Sequence, residues 1–360
     1  MFQGHGDDGY LHGKPLTADF STNVYHGGAP AGLKEHLFAN WDKVMCYPEV
    51  LAESLTEKIA GHYGFGSDHI LVTNGSTESI YLIAQAFKHQ RSAIVIPAFA
   101  EYEDACRMHG HEINFISWED FEAEIDRNRV DKNSVEKDDT AGQELNPFLK
   151  GTDLVFICNP NNPTGEVIGG LEHLIAQYPD TLFVVDEAFI EFTCSITSLV
   201  GETENYSNLV VMRSMTKAYA VPGLRLGYIV AQPALIALFR SAKLPWTVNT
   251  MALDAGHFIF DHIDSLALPL QQLLAEKADF IRGLGNAPLT IHPSHTHFFL
   301  AETQVENASR LKSFLLDQFN ILIRDAGNFR GLSENFIRIA TLSPAKNKLL
   351  INALSEWKRT

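Results

Sequence analysis

Residues 208–231 read NLVVMRSMTKAYAVPGLRLGYIVA. The first part of this stretch is apolar without alternation, which is typical of a strand covered on both faces. Such a strand belongs to a parallel sheet between layers of helices, and here it ends just before Lys217. Ligands of these sheets bind beyond the carboxyl ends of the strands, so the stretch predicts a functional lysine at that edge.

Similar apolar runs alternate with helical stretches on both sides of this segment. They are HILVTN (69–74), AIVIP (93–97), EINFIS (112–117), DLVFICN (153–159), TLFVVDE (181–187) and LGYIVA (226–231). The alternation predicts an α/β fold with a mainly parallel sheet sandwiched by helices. A helix is expected within 49–63, where apolar residues recur at helical spacing. The charged segment 122–143 is expected to be a surface excursion.

The pattern changes after Leu244. A helical region to about Leu284 is followed by predicted strands near 296–301, 321–325 and 336–340 and by a last helix over 345–358. This order is typical of a smaller α+β domain. We therefore expect an N-terminal arm over 1–30 that packs on the small domain and the site, a large domain over 31–250 and a small domain over 251–360.

Composition and charge exclude several classes of protein. The 360 residues include 28 Lys and Arg against 44 Asp and Glu, a formal net charge of -16. This charge disfavours binding to nucleic acids and anionic membranes, although a few converging arginines can still hold a small anion. Four scattered cysteines form no CxxC pair, and the sequence contains no apolar signal core or membrane span. We expect a cytoplasmic protein.

Polar residues with a common chemistry follow several of the predicted strands. Three of the predicted strands are followed by Asn162, Asp186 and Lys217, respectively. Another is followed by Gly75, Ser76 and Thr77, which begin a helix. A lysine can bind the aldehyde of pyridoxal 5'-phosphate as a Schiff base, and an aspartate can keep its ring nitrogen protonated. The helix start, with Ser214 and Arg225, can hold the cofactor phosphate. The order of these residues therefore predicts a pyridoxal-phosphate site.

Each of these residues taken alone has a structural interpretation. An aspartate at a strand end often caps a turn, a lysine is usually solvated, and Asn-Pro-Asn-Asn-Pro (159–163) could be a tight turn. His292, His295 and His297 resemble metal ligands, but no carboxylate or cysteine joins them at ligand spacing. We therefore expect these histidines to have structural roles or to support residues of the site from behind, and we expect no metal site.

Several motifs resemble fold-type I class I and II aminotransferases, in the branch containing histidinol-phosphate aminotransferase. The motifs are NPNNPTG (159–165), DEAF (186–189), SMTKAYAVPGLRLGY (214–228) and Tyr47-Pro48. The resemblance implies that Asn162 contacts the cofactor and the substrate carboxylate, that Tyr102 lines the cofactor site, and that Tyr47 reaches the cofactor phosphate of a neighbouring subunit. It thus implies a homodimer with shared sites. Phe189 departs from the family pattern, which often has a tyrosine there.

The substrate is indicated by a narrower resemblance. DFSTN (19–23), LPWTVN (244–249) and ILIRDAGNFRGL (321–332) are similar to the branch that decarboxylates L-threonine O-3-phosphate in cobalamin biosynthesis. It implies that Arg338 binds the substrate carboxylate, that Arg324 binds its phosphate, and that His5 and Asn23 are polar partners. Histidinol-phosphate aminotransferase activity is the alternative. A third possibility is a cofactor-binding protein without catalysis, against which the retained Lys217 argues.

Overall fold

The computed structural model describes residues 8–13, 15–130 and 149–357. The strands in chain order are β1 (Ala18–Asp19), β2 (Ile70–Thr73), β3 (Arg91–Ile96), β4 (Glu112–Ser117), β5 (Leu154–Cys158), β6 (Leu182–Asp186), β7 (Leu209–Ser214), β8 (Gly227–Ala231), β9 (Leu289–Ile291), β10 (Phe298–Thr303), β11 (Ile321–Leu322), β12 (Arg324–Asp325) and β13 (Phe336–Ala340). The helices are α1 (Leu33–Ala39), α2 (Glu53–Tyr63), α3 (Gly75–Ala86), α4 (Ala100–Met108), α5 (Trp118–Val130), α6 (Leu171–Gln177), α7 (Pro233–Ala242), α8 (Thr250–Asp261), α9 (Leu270–Gly283), α10 (Ala308–Phe319) and α11 (Pro344–Trp357).

The central sheet has seven strands in the order β2-β8-β7-β6-β5-β3-β4. β8 runs antiparallel to both of its neighbours, and the other pairs are parallel. All seven strands coincide with the apolar runs of the sequence, so the prediction of a mainly parallel sheet is confirmed. The parallel strands β5, β6 and β7 end at the same edge, which carries Cys158, Asp186 and Ser214.

Both faces of this sheet are buried. Because successive side chains of a strand point to opposite faces, Val155 and Ile157 contribute to one core while Leu154 and Phe156 contribute to the other. Helices α2, α5, α6 and α8 supply the first core, and α3, α4 and α7 supply the second. This two-sided burial explains why the strands read as unbroken apolar runs.

A second, four-stranded sheet has the order β12-β13-β10-β9, and all its pairs are antiparallel. It shares its own core with α9, α10 and α11. The N-terminal segment joins this unit, because β1 pairs in parallel with β11 and Phe20 is fully buried in the same core. The arm and the boundaries predicted at residues 30 and 250 stay predictions.

Four local predictions need correction or completion. The surface excursion predicted from residue 122 is wrong over 122–130, because α5 continues to Val130 and buries Phe121 and Ile125; the rest of it lies outside the described residues. The helical region before Leu284 is two helices, α8 and α9. The strand predicted over 321–325 is divided between β11 and β12, which belong to different sheets. Strand β9 and helix α10 were not predicted.

Within the described part of the chain, no helix combines the length and the apolar character needed to cross a membrane.

Candidate active site

A cavity of about 240 Å³ lies at the carboxyl edge of the central sheet. It is closed on its other side by the N-terminal segment and by the four-stranded sheet. The structure brings eleven of the predicted site residues to this cavity: Asn23, Ser76, Thr77, Tyr102, Asn162, Asp186, Ser214, Lys217, Arg225, Arg324 and Arg338. Residues far apart in the sequence therefore converge at one place.

Asp186 is buried at the end of β6 and faces the cavity. Its Oδ2 accepts a hydrogen bond from Tyr102 Oη (2.7 Å), and its Oδ1 accepts one from the backbone N–H of Ala188 (3.0 Å). Burial raises the pKa of Asp186, while the Tyr102 and Ala188 hydrogen bonds and the positive charge of Lys217 oppose the shift. A carboxylate held in this way can stabilise a positive charge that enters the cavity.

Lys217 lies in the turn that follows β7, and its side chain is half-buried at the cavity. The backbone of this turn is held by the N-terminal segment, because Tyr25 N–H donates to the carbonyl of Lys217 (3.0 Å). The amine is close enough to Asp186 to lower the pKa of that carboxyl. A lysine at this position can react with an aldehyde and can later carry a proton.

The first turn of α3 forms another wall of the cavity, with Ser76 and Thr77 on its lining. Gly75 has a φ of +75°, and a Cβ at this position would collide with the Arg225 guanidinium. The Arg225 backbone is also left-handed (φ 60°), an uncommon conformation for a side chain of this size. The glycine therefore leaves a space beside free helix N–H groups and a guanidinium, which is the environment that a phosphate requires.

Ser214 completes this wall from the end of β7. Its hydroxyl is buried and lies 2.9 Å from the hydroxyl of Thr216, which also lines the cavity. The two hydroxyls, the α3 turn and Arg225 offer donors to the phosphate of pyridoxal phosphate, while Asp186 and Lys217 match its ring nitrogen and its aldehyde. The residues present thus fit this cofactor.

Arg338, on β13, is buried between two other elements of the site. Its Nη1 donates to Asn162 Oδ1 (2.5 Å) and its Nη2 donates to the carbonyl of Ser21 (2.6 Å). Burial lowers the pKa of Arg338 to about 9, the nearby Arg324 lowers it too, and Asp19 opposes the shift. Its buried Nε has no hydrogen-bond partner among the described residues. A buried guanidinium with unused donor capacity is suited to an anionic ligand.

Arg324, on β12, is directly opposite Arg338 in the pairing of the two strands. Its guanidinium donates to Asn328 Oδ1 (2.7 Å) and to the carbonyl of Asp325, and it lies 5.1 Å from the centre of the Phe329 ring. Burial lowers its pKa to about 10, although Asp325 and Asp8 act in the opposite direction. Arg324 also lines a neighbouring cavity of about 380 Å³. The two arginines thus lie on adjacent strands of the small sheet.

Asn23 is buried on the N-terminal side of the cavity, and its Oδ1 has no hydrogen-bond partner among the described residues. His297 is fully buried beneath it and lies 3.1 Å from the carbonyl of Asn23 through Nε2. Its ring also stacks on Phe192 at 3.8 Å between centroids. Burial lowers the pKa of His297 to about 3, so the ring is neutral and donates to that carbonyl.

Two predicted residues stand apart from the cavity, and a third has no described position. Gly75 is not on its lining, although it shapes the wall beside Arg225. Tyr47 is 87% exposed, packs against Trp246 (5.5 Å between centroids), and does not line the cavity of its own chain. His5 lies outside the described residues.

Phe189, the departure from the family pattern, also lines the cavity. Nine further lining residues carried no individual prediction, and each lies in or near a sequence segment quoted above: Ser21, Thr22, Val24, Phe99, Cys158, Ala188, Thr216, Pro222 and Phe329. Ser21 contributes a backbone carbonyl, which no side-chain pattern can reveal. In the ranges 8–13, 15–130 and 149–357, no three His, Cys, Asp or Glu side chains are grouped so that they could hold a metal ion.

Comparisons with known proteins agree with this geometry. Residues 18–354 match the family of class I and II aminotransferases. The chain is 35% identical to threonine-phosphate decarboxylase of Salmonella typhimurium, over 93% of this chain and 90% of that protein. It is 32% identical to histidinol-phosphate aminotransferase of a Thermoanaerobacter species, over 87% of this chain and 85% of the relative.

A solved structure is similar over nearly the whole chain. The crystal structure of L-threonine-O-3-phosphate decarboxylase from Porphyromonas gingivalis superposes with a TM-score of 0.84 at 37% identity, covering 95% of this chain and 100% of that one. The family match spans both sheets and every described residue that lines the cavity. The chain therefore belongs to the class I and II aminotransferase family, and its cofactor is pyridoxal phosphate.

Proposed function

We propose that the protein decarboxylates L-threonine O-3-phosphate to (R)-1-amino-2-propanol O-2-phosphate, a reaction of cobalamin biosynthesis. The observation that carries this proposal is the pair of buried guanidinium groups, Arg324 and Arg338, at directly opposite positions of β12 and β13. Like charges at such positions destabilise a sheet, and their burial adds a desolvation cost. A ligand with two anionic groups would compensate both charges, and a phosphorylated amino acid has a carboxylate and a phosphate.

The residues of the cavity have separate roles in the proposed reaction. When bound, the cofactor supplies an electron sink for the pair released at the substrate Cα. In this proposal Arg338 and Asn162, which are hydrogen-bonded to each other, hold the substrate carboxylate, and Arg324 holds the phosphate. Fixing both ends determines which Cα bond is aligned for cleavage. The carboxylate leaves as CO2, and Lys217 can deliver the proton that replaces it on Cα.

Histidinol-phosphate aminotransferase is the alternative, supported by the 32% identical relative of that name. Histidinol phosphate has a phosphate but no carboxylate. The 2-oxoglutarate that accepts the amino group has two carboxylates, so the same two arginines can serve this alternative as well. Decarboxylation is preferred because the chain is 35% identical to a threonine-phosphate decarboxylase and 37% identical to a solved one, against 32% for this aminotransferase.

Arg324→Ala tests the phosphate clamp. We expect kcat/KM for L-threonine O-3-phosphate to fall by roughly two to four orders of magnitude, because a charge-assisted contact at a buried site is lost. Free L-threonine should react poorly with both proteins and change little between them. The matched control is Arg282→Ala, since Arg282 is an exposed arginine of α9 whose guanidinium pairs with Asp279 of the same helix. A variant as active on the phosphorylated substrate as the wild type would remove the basis of the substrate assignment.

We further propose a homodimer in which Tyr47 completes the site of the partner subunit. Tyr47 belongs to a group of exposed large apolar side chains on α1, the segment after it and the loop before α8: Phe38, Trp41, Val44, Met45, Tyr47, Val50, Leu244 and Trp246. Exposed apolar surface of this extent is typical of a protein interface. A cytoplasmic location is also proposed, and it is consistent with four cysteines that are all free thiols.

A further inference from the structure

A buried ion pair lies behind the α3 turn. The Lys243 side chain is 1% exposed, and its Nζ donates to Glu78 Oε2 (2.8 Å) and to the Thr247 hydroxyl. The same Glu78 Oε2 accepts the backbone N–H of Asn74 (2.5 Å), the residue before Gly75. The chain of contacts therefore runs from Lys243 through a carboxylate to the backbone at the start of α3.

This arrangement leaves specific N–H groups for a ligand. The first N–H groups of a helix have no partner within the helix, and Glu78 uses the one that belongs to Asn74. Ser76 and Thr77 follow in the same turn, and both residues line the cavity. The anchored backbone holds the turn in the open conformation that Gly75 permits.

The charges of the pair are as important as its hydrogen bonds. A carboxylate in the first turn of α3 would repel a phosphate bound at that turn, and at a sheltered site the repulsion is strong. Lys243 supplies the compensating charge from the side away from the cavity, since Lys243 does not line it. Burial lowers the pKa of Lys243, and the hydrogen bond and charge of Glu78 oppose that shift. Glu78 thus stabilises the charged form of Lys243.

We propose that Lys243 and Glu78 are positioning residues that make the α3 turn selective for a phosphorylated cofactor: Glu78 fixes the backbone, and Lys243 cancels the charge of Glu78. The inference rests on the proposed role of Gly75, Ser76 and Thr77 in holding the cofactor phosphate. It does not depend on which substrate the enzyme uses.

The test compares the affinities of the apoprotein for pyridoxal phosphate and for pyridoxal, which lacks the phosphate. Both are followed by the absorbance of the ligand bound to Lys217. In Lys243→Met an uncompensated carboxylate remains, so the ratio of the two affinities should fall by about tenfold or more. In Glu78→Gln the amide oxygen can still accept the Asn74 N–H and a positive charge remains, so the ratio should stay within about threefold of wild type.

The double variant Lys243→Met/Glu78→Gln has neither charge and should recover the wild-type ratio to within about threefold. Lys58→Met, which breaks the Lys58–Asp261 salt bridge between α2 and α8, is the matched control and should leave both affinities unchanged. Equal losses for pyridoxal phosphate and pyridoxal in Lys243→Met would overturn the proposal, because the pair would then be only structural. The proposal would also be overturned if the ratio of the affinities for pyridoxal phosphate and pyridoxal fell equally in Lys243→Met and Glu78→Gln. If Lys243→Met is too unstable to purify, a reduced ratio in the double variant decides against the proposal.

Discussion

Asp186 shows how one buried residue is prepared for a charged partner. Its carboxylate has two hydrogen-bond donors, Tyr102 and the Ala188 N–H, and it senses the charge of Lys217. These contacts oppose the rise of the pKa that burial causes but do not cancel it. Ionised Asp186 in a sheltered cavity can hold a protonated ring nitrogen much more strongly than it could in water.

Asp186→Asn should leave the protein folded and able to bind cofactor but should lower kcat by about 10³ or more, because an amide cannot stabilise the pyridinium charge. The measurement is kcat on the preferred substrate with saturating cofactor. Tyr102→Phe is the comparison variant: it removes one hydrogen bond and keeps the carboxylate, so its loss should be smaller by at least about tenfold. An Asp186→Asn enzyme within tenfold of wild type would show that this carboxylate does not act on the cofactor.

A residue of the site could be predicted from the sequence where it belonged to a recognisable motif. Asp186 and Lys217 each follow an apolar strand. Because parallel strands end at one edge of the sheet, the sequence predicted that the two residues would lie close together. The contact between Tyr102 and Asp186 could not be predicted, because it joins α4 to β6 across 84 residues. The burial of Lys243 could not be predicted, because a lysine is normally solvated and only the fold buries this one.

At the scale of elements, helix α3 depends on the left-handed conformation of Gly75. Gly75→Ala introduces a Cβ into the space of the Arg225 guanidinium and strains a backbone with a φ of +75°. Strain of about 1–3 kcal/mol is expected, and displacement of Arg225 would weaken the phosphate site further. We expect the dissociation constant of pyridoxal phosphate to rise about ten- to a hundredfold, measured by titration of the apoprotein.

Gly61→Ala provides the control for this substitution. Gly61 lies within α2, and a Cβ there would meet no atom within 4 Å. Alanine should stabilise the helix by about 0.5–1 kcal/mol, visible as a higher melting temperature, and should leave cofactor affinity unchanged. If Gly75→Ala bound the cofactor as Gly61→Ala does, the proposed phosphate site at α3 would be incorrect.

The strands of the central sheet were predictable because burial on both faces removes polar residues from them. The four-stranded sheet was less predictable. Ile321–Leu322 pairs with β1 of the N-terminal segment, whereas Arg324–Asp325 pairs with β13. One apolar run therefore contributes a short strand to each of two sheets. Such partners are distant in sequence, and local patterns contain no information about them. Helix α5 was missed because its acidic surface outweighs the few apolar residues that it buries.

For the whole molecule, the proposed shared sites predict complementation between two inactive subunits. Lys217→Ala removes the covalent attachment point, and Tyr47→Ala should weaken cofactor binding in the partner. In a mixed dimer, one site would carry both substitutions, while the other would combine an intact Lys217 with an intact Tyr47 from the partner. Random reassortment of an equimolar mixture makes half of the dimers mixed, so activity at saturating substrate and limiting cofactor should recover to about a quarter of the wild-type value.

The control for complementation is a mixture of Lys217→Ala with wild type. It should have half of the wild-type activity whether or not the sites are shared. If the mixture of Lys217→Ala and Tyr47→Ala is no more active than Tyr47→Ala alone, Tyr47 acts within its own chain or does not act at the site. Its position outside the cavity of its own chain makes the first of these outcomes unexpected.

The reaction itself gives the most direct test of the whole assignment. The purified enzyme, saturated with pyridoxal phosphate, is incubated in parallel with L-threonine O-3-phosphate and with histidinol phosphate plus 2-oxoglutarate, and CO2 and glutamate are measured. The proposed decarboxylase predicts CO2 release from L-threonine O-3-phosphate and little glutamate in the mixture of histidinol phosphate and 2-oxoglutarate. Rapid glutamate formation from histidinol phosphate without CO2 release from L-threonine O-3-phosphate would contradict the proposed decarboxylase.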